Sequence, residues 1–302
     1  MVTKTKLTEE VLRIKDPVGV VAQEKVFIQK EMAEANRDGV VIASGGGKDS
    51  SLAICFSAAA VGADKVLVLY LPTEESKTIH GEHARWVAQW LGVRLETIDI
   101  TPVLRTMGVW DILPEMNTGI FEAKAEAERE IGGDAVIFRA RSTGQDLVGR
   151  GNAFAGSQHR LRAVYLSMFA DLENRLMVGC ANYSEFRLGS SILFGCDELA
   201  EVMPVRPFYR TQVMQLLRSF GVPREISDKL SDPDVMLGVE SIDQMFGPSL
   251  ENDLILYGLD HGFSREELEE QFGSDAVTRV TSLVNGAGKF KRGLPHIPVI
   301  NF

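Results

Sequence analysis

Residues 40–51 read Val40-Val41-Ile42-Ala43-Ser44-Gly45-Gly46-Gly47-Lys48-Asp49-Ser50-Ser51. An apolar strand runs straight into a glycine-rich loop, and the next run, Ser51 to Ala60, is compatible with a helix. The glycines remove the Cβ atoms that would hold an anion away from backbone N–H groups. Ser44 and Ser50 add hydroxyl donors, Lys48 adds a cation, and the positive end of the helix faces the same place. Asp49 is the odd residue, since a carboxylate beside phosphate is repelled unless a divalent cation such as Mg2+ lies between them.

The pattern differs from the Walker loop G-x-x-x-x-G-K-[ST], because an acidic residue follows the glycine run. It resembles the pyrophosphate loop S-G-G-x-D-S of ATP pyrophosphatases, which release pyrophosphate and form adenylates. The chain has one residue too many for a strict match. Either Ser44 opens the motif with a glycine inserted, or the motif is Gly45 to Ser50 with its first serine replaced.

Beyond the loop, Lys65 to Pro72 is a continuous apolar run of parallel-strand type. Residues 79–91 read as an amphipathic helix and Leu95 to Ile100 as a third strand. Strand, helix, strand, helix, strand at this spacing predicts an α/β fold, a doubly wound parallel sheet flanked by helices. Upstream, residues 1–36 form a helical lead-in, with apolar positions Val11, Leu12, Val18, Val21, Val26, Ile28 and Met32 interrupted at Pro17. Residues 103–150 read as an excursion, a candidate lid or subunit contact. Residues 160–174 form a helix with Leu161, Val164, Met168, Phe169 and Leu172 on its apolar side, and Arg175 to Gly179 is a further strand. After Pro204 the chain is mainly helical, and residues 288–302 form an extended tail. The whole of 1–302 is expected to be one domain.

The 302 residues are 45% hydrophobic and 25% charged, an ordinary globular composition. A net charge of −10 argues against a general nucleic-acid surface. No apolar run approaches the roughly 20 residues needed to cross a bilayer. The polar N-terminus and three cysteines without metal-ligand spacing (Cys55, Cys180, Cys196) point to a reduced, cytoplasmic setting.

A second cluster, Val178 to Gly189, follows a strand and carries Glu185, a carboxylate that could complete a magnesium site with Asp49. With it, the chain resembles ammonia-dependent NAD synthetases nearly end to end. The family's R-x-R before a long helix is similar to Arg160-Leu161-Arg162, and its G-T-x-N-x-S-E-x-x-x-G to Gly179 through Glu185 and on to Gly189. Its P-[IL]-x-x-L-x-K segment is similar to Pro204-Val205 followed by Phe208 to Val213, and its H-K-R-x-x-P-x-x-P to Phe290-Lys291-Arg292, Pro295 and Pro298.

The resemblance implies an adenine nucleotide α-hydrolase-like fold, usually a homodimer, that uses ATP and Mg2+. It implies that a nicotinate carboxylate, that of deamido-NAD, is adenylated with loss of pyrophosphate and that ammonia then displaces AMP. Carried onto this chain, Ser44, Gly45, Gly46, Gly47, Lys48, Asp49, Ser50, Arg160, Cys180, Arg210 and Ser231 surround the nucleotide. Lys48, Asp49 and Arg210 serve catalysis, and Asp49 and Glu185 hold the metal. The departures concern the acid substrate. Where the family has F-T-K-x-G-D-G-x-A-D, this chain reads Ser191 to Glu201, with Leu193 at the lysine position. Cys180 replaces a threonine and Arg210 a lysine. Two rival readings remain: a related enzyme that adenylates another carboxylate, a tRNA base or a sulfur acceptor, and a nucleotide-binding protein without turnover.

Arg160 and Arg162 point about 200° apart on a helix, so one reaches phosphate, with Arg160 favoured. Trp86 and Trp90, four apart, read as a core or dimer contact. Lys289, Lys291 and Arg292 are either a phosphate contact across a dimer or a solvated tail.

Overall fold

The apolar runs on either side of the phosphate loop become two central strands, β1 (Gly39–Ala43) and β2 (Val66–Tyr70), with β3 (Arg94–Thr97) and β4 (Arg175–Val178) outside them. In the computed structural model, which describes residues 6–112, 147–192, 194–232 and 241–290, these strands pair in parallel in the order β3-β2-β1-β4. Val40 lies opposite Val66 on one side and Leu176 on the other.

Successive residues of a strand face opposite sides of the sheet. Val40, Ile42, Val66 and Val68 pack with Leu52, Phe56, Leu216 and Leu217 on one side. Val41, Leu67 and Leu69 pack with Ile100, Leu104, Phe154 and Leu166 on the other. A strand covered on both faces must be apolar throughout, which is why β1 and β2 show no alternation. β3 lies at the sheet edge and is more exposed; its Arg94 pairs with Glu96 and Glu173, and such charges discourage further strand pairing.

Helices α1 (Pro17–Glu34), α2 (Lys48–Val61), α3 (Thr78–Leu91), α4 (Thr101–Thr106) and α5 (Leu147–Leu172) accompany the sheet. After β4 come α6 (Tyr183–Leu188), α7 (Cys196–Leu199), α8 (Arg210–Phe220), α9 (Arg224–Ser227), α10 (Asp243–Phe246), α11 (Ser249–Asp260), α12 (Arg265–Phe272) and α13 (Ser274–Phe290). The C-terminal helices bury their own cluster, with Ile255, Leu256, Val277, Val280 and Leu283 closing over Leu7 and Leu12 from the N-terminus. No helix among the described residues is long and apolar enough to cross a membrane.

From β1 the chain builds outward through α2 to β2 and β3, then returns to place β4 on the other side of β1. The strand order reverses between β1 and β4. In open α/β sheets the crevice beyond the carboxyl ends of two such strands is where ligands bind.

Several expected boundaries move. Pro17 starts α1 instead of interrupting it, with Asp16 accepting from Gly19 N at 2.9 Å. Val18 and Val26, expected in the apolar pattern, are 79% and 65% exposed. α5 begins at residue 147, ahead of the expected 160, because burial of Phe154 and Ala155 outweighs the low helix propensity of the glycines around them. Within the candidate lid or subunit contact, residues 103–112 hold the end of α4 and the turn after it, which bury Leu104 and Val109. α13 carries its apolar face on to Ala287 and its helix to Phe290, so the expected tail begins inside a helix. The remainder of the candidate lid (113–146), Leu193 and the tail 291–302 lie outside the described residues.

Phe56 on α2 is 1% exposed and meets the rings of Phe208 and Phe220 at 5.9 and 5.8 Å. Phe56→Ala is expected to cost about 3–5 kcal/mol of stability, read from the denaturant midpoint. A shift under about 1 kcal/mol would show that this junction of α2 and α8 is not load-carrying.

Candidate active site

The phosphate loop is built by its own backbone. Ser44 extends β1, donating from its N–H to Leu69 O at 2.9 Å, and its buried hydroxyl accepts from Gly46 N at 3.1 Å and pairs with Ser50 Oγ at 2.9 Å. Ser44 therefore braces the turn. Gly46 has φ +67°, and a Cβ there would lie 2.5 Å from His80 O and 2.8 Å from Ala84 N, so this position requires glycine. A Cβ on Gly45 would meet nothing within 4 Å, and one on Gly47 only Ser50 Oγ at 3.9 Å. At those two positions the protein leaves open space where a ligand can approach. α2 begins at Lys48, earlier than the Ser51 suggested by the sequence, and no side chain caps its first N–H groups. Those groups and the helix dipole suit an anion.

Two cavities meet at this loop. One, of about 200 Å3, is lined by Ala43, Tyr70, Leu71 and Val178, with His159, Arg162, Cys180 and Cys196 among the rest of its wall. The other, of about 220 Å3, is lined by Gly45, Gly47, Asp49, Ser50, His80, Glu185, Lys229 and Asp232. Gly45, Cys180 and Asp197 border both. The first is largely apolar and suits a base and sugar; the second suits a polyanion with a cation.

The second strand end supplies the facing wall. Asn182 is fully buried and caps α6, its Oδ1 accepting from Glu185 N at 2.9 Å while Glu185 returns the bond to Asn182 N. Its Nδ2 donates to Asp49 Oδ1 at 2.8 Å, fixing the carboxylates of the two strand ends relative to each other. Burial, and then the nearby Asp49, push the Glu185 carboxyl up to about 7, against the pull of Arg210. Arg210 is 4% exposed, pairs with Glu185 at 3.4 Å, and places its own N–H on Ser184 Oγ at 3.0 Å. Ser184 in turn donates to the buried Asp253 at 2.5 Å.

Other expected residues stand elsewhere. Lys48 does not line either cavity; its Nζ donates to Lys229 O at 2.8 Å. Arg162, not Arg160, borders the nucleoside-sized cavity, with Nε donating to Leu71 O at 3.0 Å. Ser231 uses its carbonyl to accept from Ile242 N at 2.7 Å and is not in the cavity wall. Burial pushes the Cys180 thiol well up and the Cys196 thiol to about 12, so neither is a ready thiolate. Burial and the neighbouring arginines hold His159 down at about 3, a neutral ring.

Sequence reasoning did not single out Asp197, Asn182, His80 or Lys229. Asp197 Oδ1 accepts from Cys180 N at 2.7 Å and Ala181 N at 2.9 Å, pinning α7 to the end of β4. Its position in the stretch 191–201, which keeps an acidic residue despite the altered pattern, was the available signal. Nothing in local sequence pointed to Lys229, which reaches the loop from 183 positions away.

Fold and crevice together define a class: an α/β protein of the adenine nucleotide α-hydrolase-like fold, with an anion-suited loop at its strand ends. The family model described as NAD synthase matches residues 20–129 and 128–295, and the chain belongs to that family of ligases that form a C–N bond. It is 30% identical over 287 residues to the NH(3)-dependent NAD(+) synthetase of Hyperthermus butylicus, covering 94% of this chain and 91% of the relative. Identity to the synthetase of the same name from Thermotoga neapolitana is 28% over 274 residues, covering 89% and 92%. Among solved structures, NMN synthetase from Francisella tularensis superposes with a TM-score of 0.68 at 21% identity, covering 94% of this chain and 99% of that one. The NH3-dependent NAD synthetase from Campylobacter jejuni gives 0.67 at 19% identity, covering 95% and 100%.

Gly46→Ala is expected to lower ATP affinity at least tenfold by forcing the loop off α3, while far-ultraviolet circular dichroism stays unchanged. Calorimetric binding equal to wild type would show that the loop tolerates a side chain there.

Proposed function

We propose that this protein is an ammonia-dependent NAD synthetase that adenylates deamido-NAD and aminates the adenylate. The observation that carries this reading is the meeting of an apolar cavity and an acid-lined one at Gly45, Cys180 and Asp197. ATP laid across that junction puts base and ribose beside Tyr70, Leu71 and Arg162, and the β- and γ-phosphates over the glycine loop. The α-phosphorus then falls at the junction, where a carboxylate oxygen attacks it and the bond to the β-phosphate oxygen breaks. The loop N–H groups and the end of α2 stabilise charge on the departing pyrophosphate. Ammonia next attacks the acyl carbon, AMP leaves, and the surplus proton goes to solvent or to a carboxylate in the cavity wall.

The residues present fit a magnesium ion. No group of three or more His, Cys, Asp or Glu among the described residues could hold a metal alone, but Mg2+ commonly takes one or two carboxylates and completes its shell with phosphate and water. Asp49 and Glu185 would be those carboxylates, and the ion would neutralise triphosphate charge. Because burial and the nearby Asp49 raise the Glu185 pKa, the ionised, metal-binding fraction of this carboxyl grows as the pH rises from 6 to 8. Mg2+ with a nonhydrolysable ATP analogue should therefore raise the melting temperature more at pH 8 than at pH 6. Equal shifts at both pH values would remove Glu185 from the metal shell.

Two copies would pair through α5, whose Val164, Met168 and Leu172 recur every four residues and are 61%, 42% and 72% exposed.

The deciding assay measures AMP and pyrophosphate release with ATP, Mg2+, ammonia and candidate acids. Release that requires deamido-NAD supports the proposal. Release that instead requires nicotinate mononucleotide would place the specificity with the alternative acid, consistent with the departures in residues 191–201. No release with any acid would favour nucleotide binding without turnover. Asp49→Ala is expected to lower turnover at least a hundredfold.

A further inference from the structure

A triphosphate entering the acid-lined cavity meets Asp49, Glu185, Asp197 and Asp232. Such a wall repels a polyanion, and one divalent ion offsets only part of that repulsion. Among the described lining residues, the side chains able to carry positive charge are His80 and Lys229. Lys48, the lysine of the motif itself, is turned away and 6% exposed, and burial depresses its pKa.

The two lysines are linked reciprocally. Lys48 Nζ donates to Lys229 O at 2.8 Å, and Lys229 Nζ donates to Gly46 O at 3.0 Å, inside the phosphate loop. Lys229 Nζ also lies 3.3 Å from His83 Nδ1, and burial followed by Lys229 lowers the pKa of that ring. Asp232, three residues on, pairs with Lys77 and lies 3.5 Å from His80 Nε2, holding the segment against the start of α3.

We infer that Lys229, not Lys48, is the lysine that contacts the β- and γ-phosphates and the departing pyrophosphate, and that Lys48 is a positioning residue holding the Lys229 backbone in place. The Gly46 carbonyl that Lys229 touches lies between Gly45 and Gly47, both of which line the cavity. Exchanging that carbonyl for a phosphate oxygen draws on rotation about the lysine's flexible stem. A phosphate oxygen, being charged, is the stronger acceptor. This inference rests on the reading of the cavity as a pyrophosphate-releasing site, but its test does not depend on the acid substrate.

The test is calorimetric binding of inorganic pyrophosphate with Mg2+ to the full chain, without acid or ammonia. Lys229→Met should weaken binding at least tenfold, with Lys229→Arg recovering much of the loss because it keeps the charge. Lys48→Met should weaken it by a comparable factor, and the double variant should bind no worse than Lys229→Met alone, as expected when one residue acts through the other. Wild-type pyrophosphate affinity in Lys229→Met would overturn the inference, as would losses for the two lysines that multiply independently. If buried Lys48→Met fails to fold, the comparison of Met and Arg at position 229 still decides the point. Failure of the NAD synthetase reading would appear in the acid-dependent assay and leave these affinities unaltered.

Discussion

The hydrogen bond from Asn182 to Asp49 joins the ends of two adjacent parallel strands whose chain connections run in opposite directions. Each strand end would otherwise be a separate turn with its own conformational freedom. A fully buried amide that also caps α6 orients both carboxylates at once, since rotating it would leave buried polar groups without partners. The sheet order opens the crevice; this contact gives it a fixed width. The glycine loop, the raised pKa of Glu185 and the approach of Lys229 all refer to that spacing.

A protein of net charge −10 that handles a polyanion must concentrate positive potential locally. Here the uncapped start of α2 contributes positive potential without a formal charge. Arg210 is set behind Glu185 and serves the carboxylate more directly than any ligand. Arg210 opposes the rise in pKa that burial and Asp49 impose on the half-buried Glu185, so this carboxyl stays ionisable near neutral pH. Asp49, Glu185, Asp197 and Asp232 share the cavity wall with His80 and Lys229.

The central strands and the glycine-rich turn into α2 were legible because each is a local pattern with one dominant physical cause. Continuous apolar runs mean strands covered on both faces, and glycines followed by Lys-Asp-Ser mean an anion-binding turn. Orientation was not legible. Lys48 and Arg160 sit in the right segments but turn from the cavities, since helical position sets direction only relative to a packing that the sequence does not specify. Lys229 and Asp197 reach the site across long stretches of chain, and Phe154 extends α5 through glycines by burial alone. Val18 and Val26 followed the apolar count of a buried face and emerged in solvent, because periodicity reports a stripe and not what covers it.

The indoles of Trp86 and Trp90 stack on α3 with centroids 5.4 Å apart and planes 19° apart. The same helix presents His80 and Ala84 to Gly46 at its other end. Two chromophores held so closely couple their excited states, and that coupling depends steeply on their mutual angle. A change in the geometry of this stretch of α3 would therefore be written into the ultraviolet spectrum. The stacked pair thus gives α3 an intrinsic optical signature, separate from that of Trp110, which packs edge-on against Phe154.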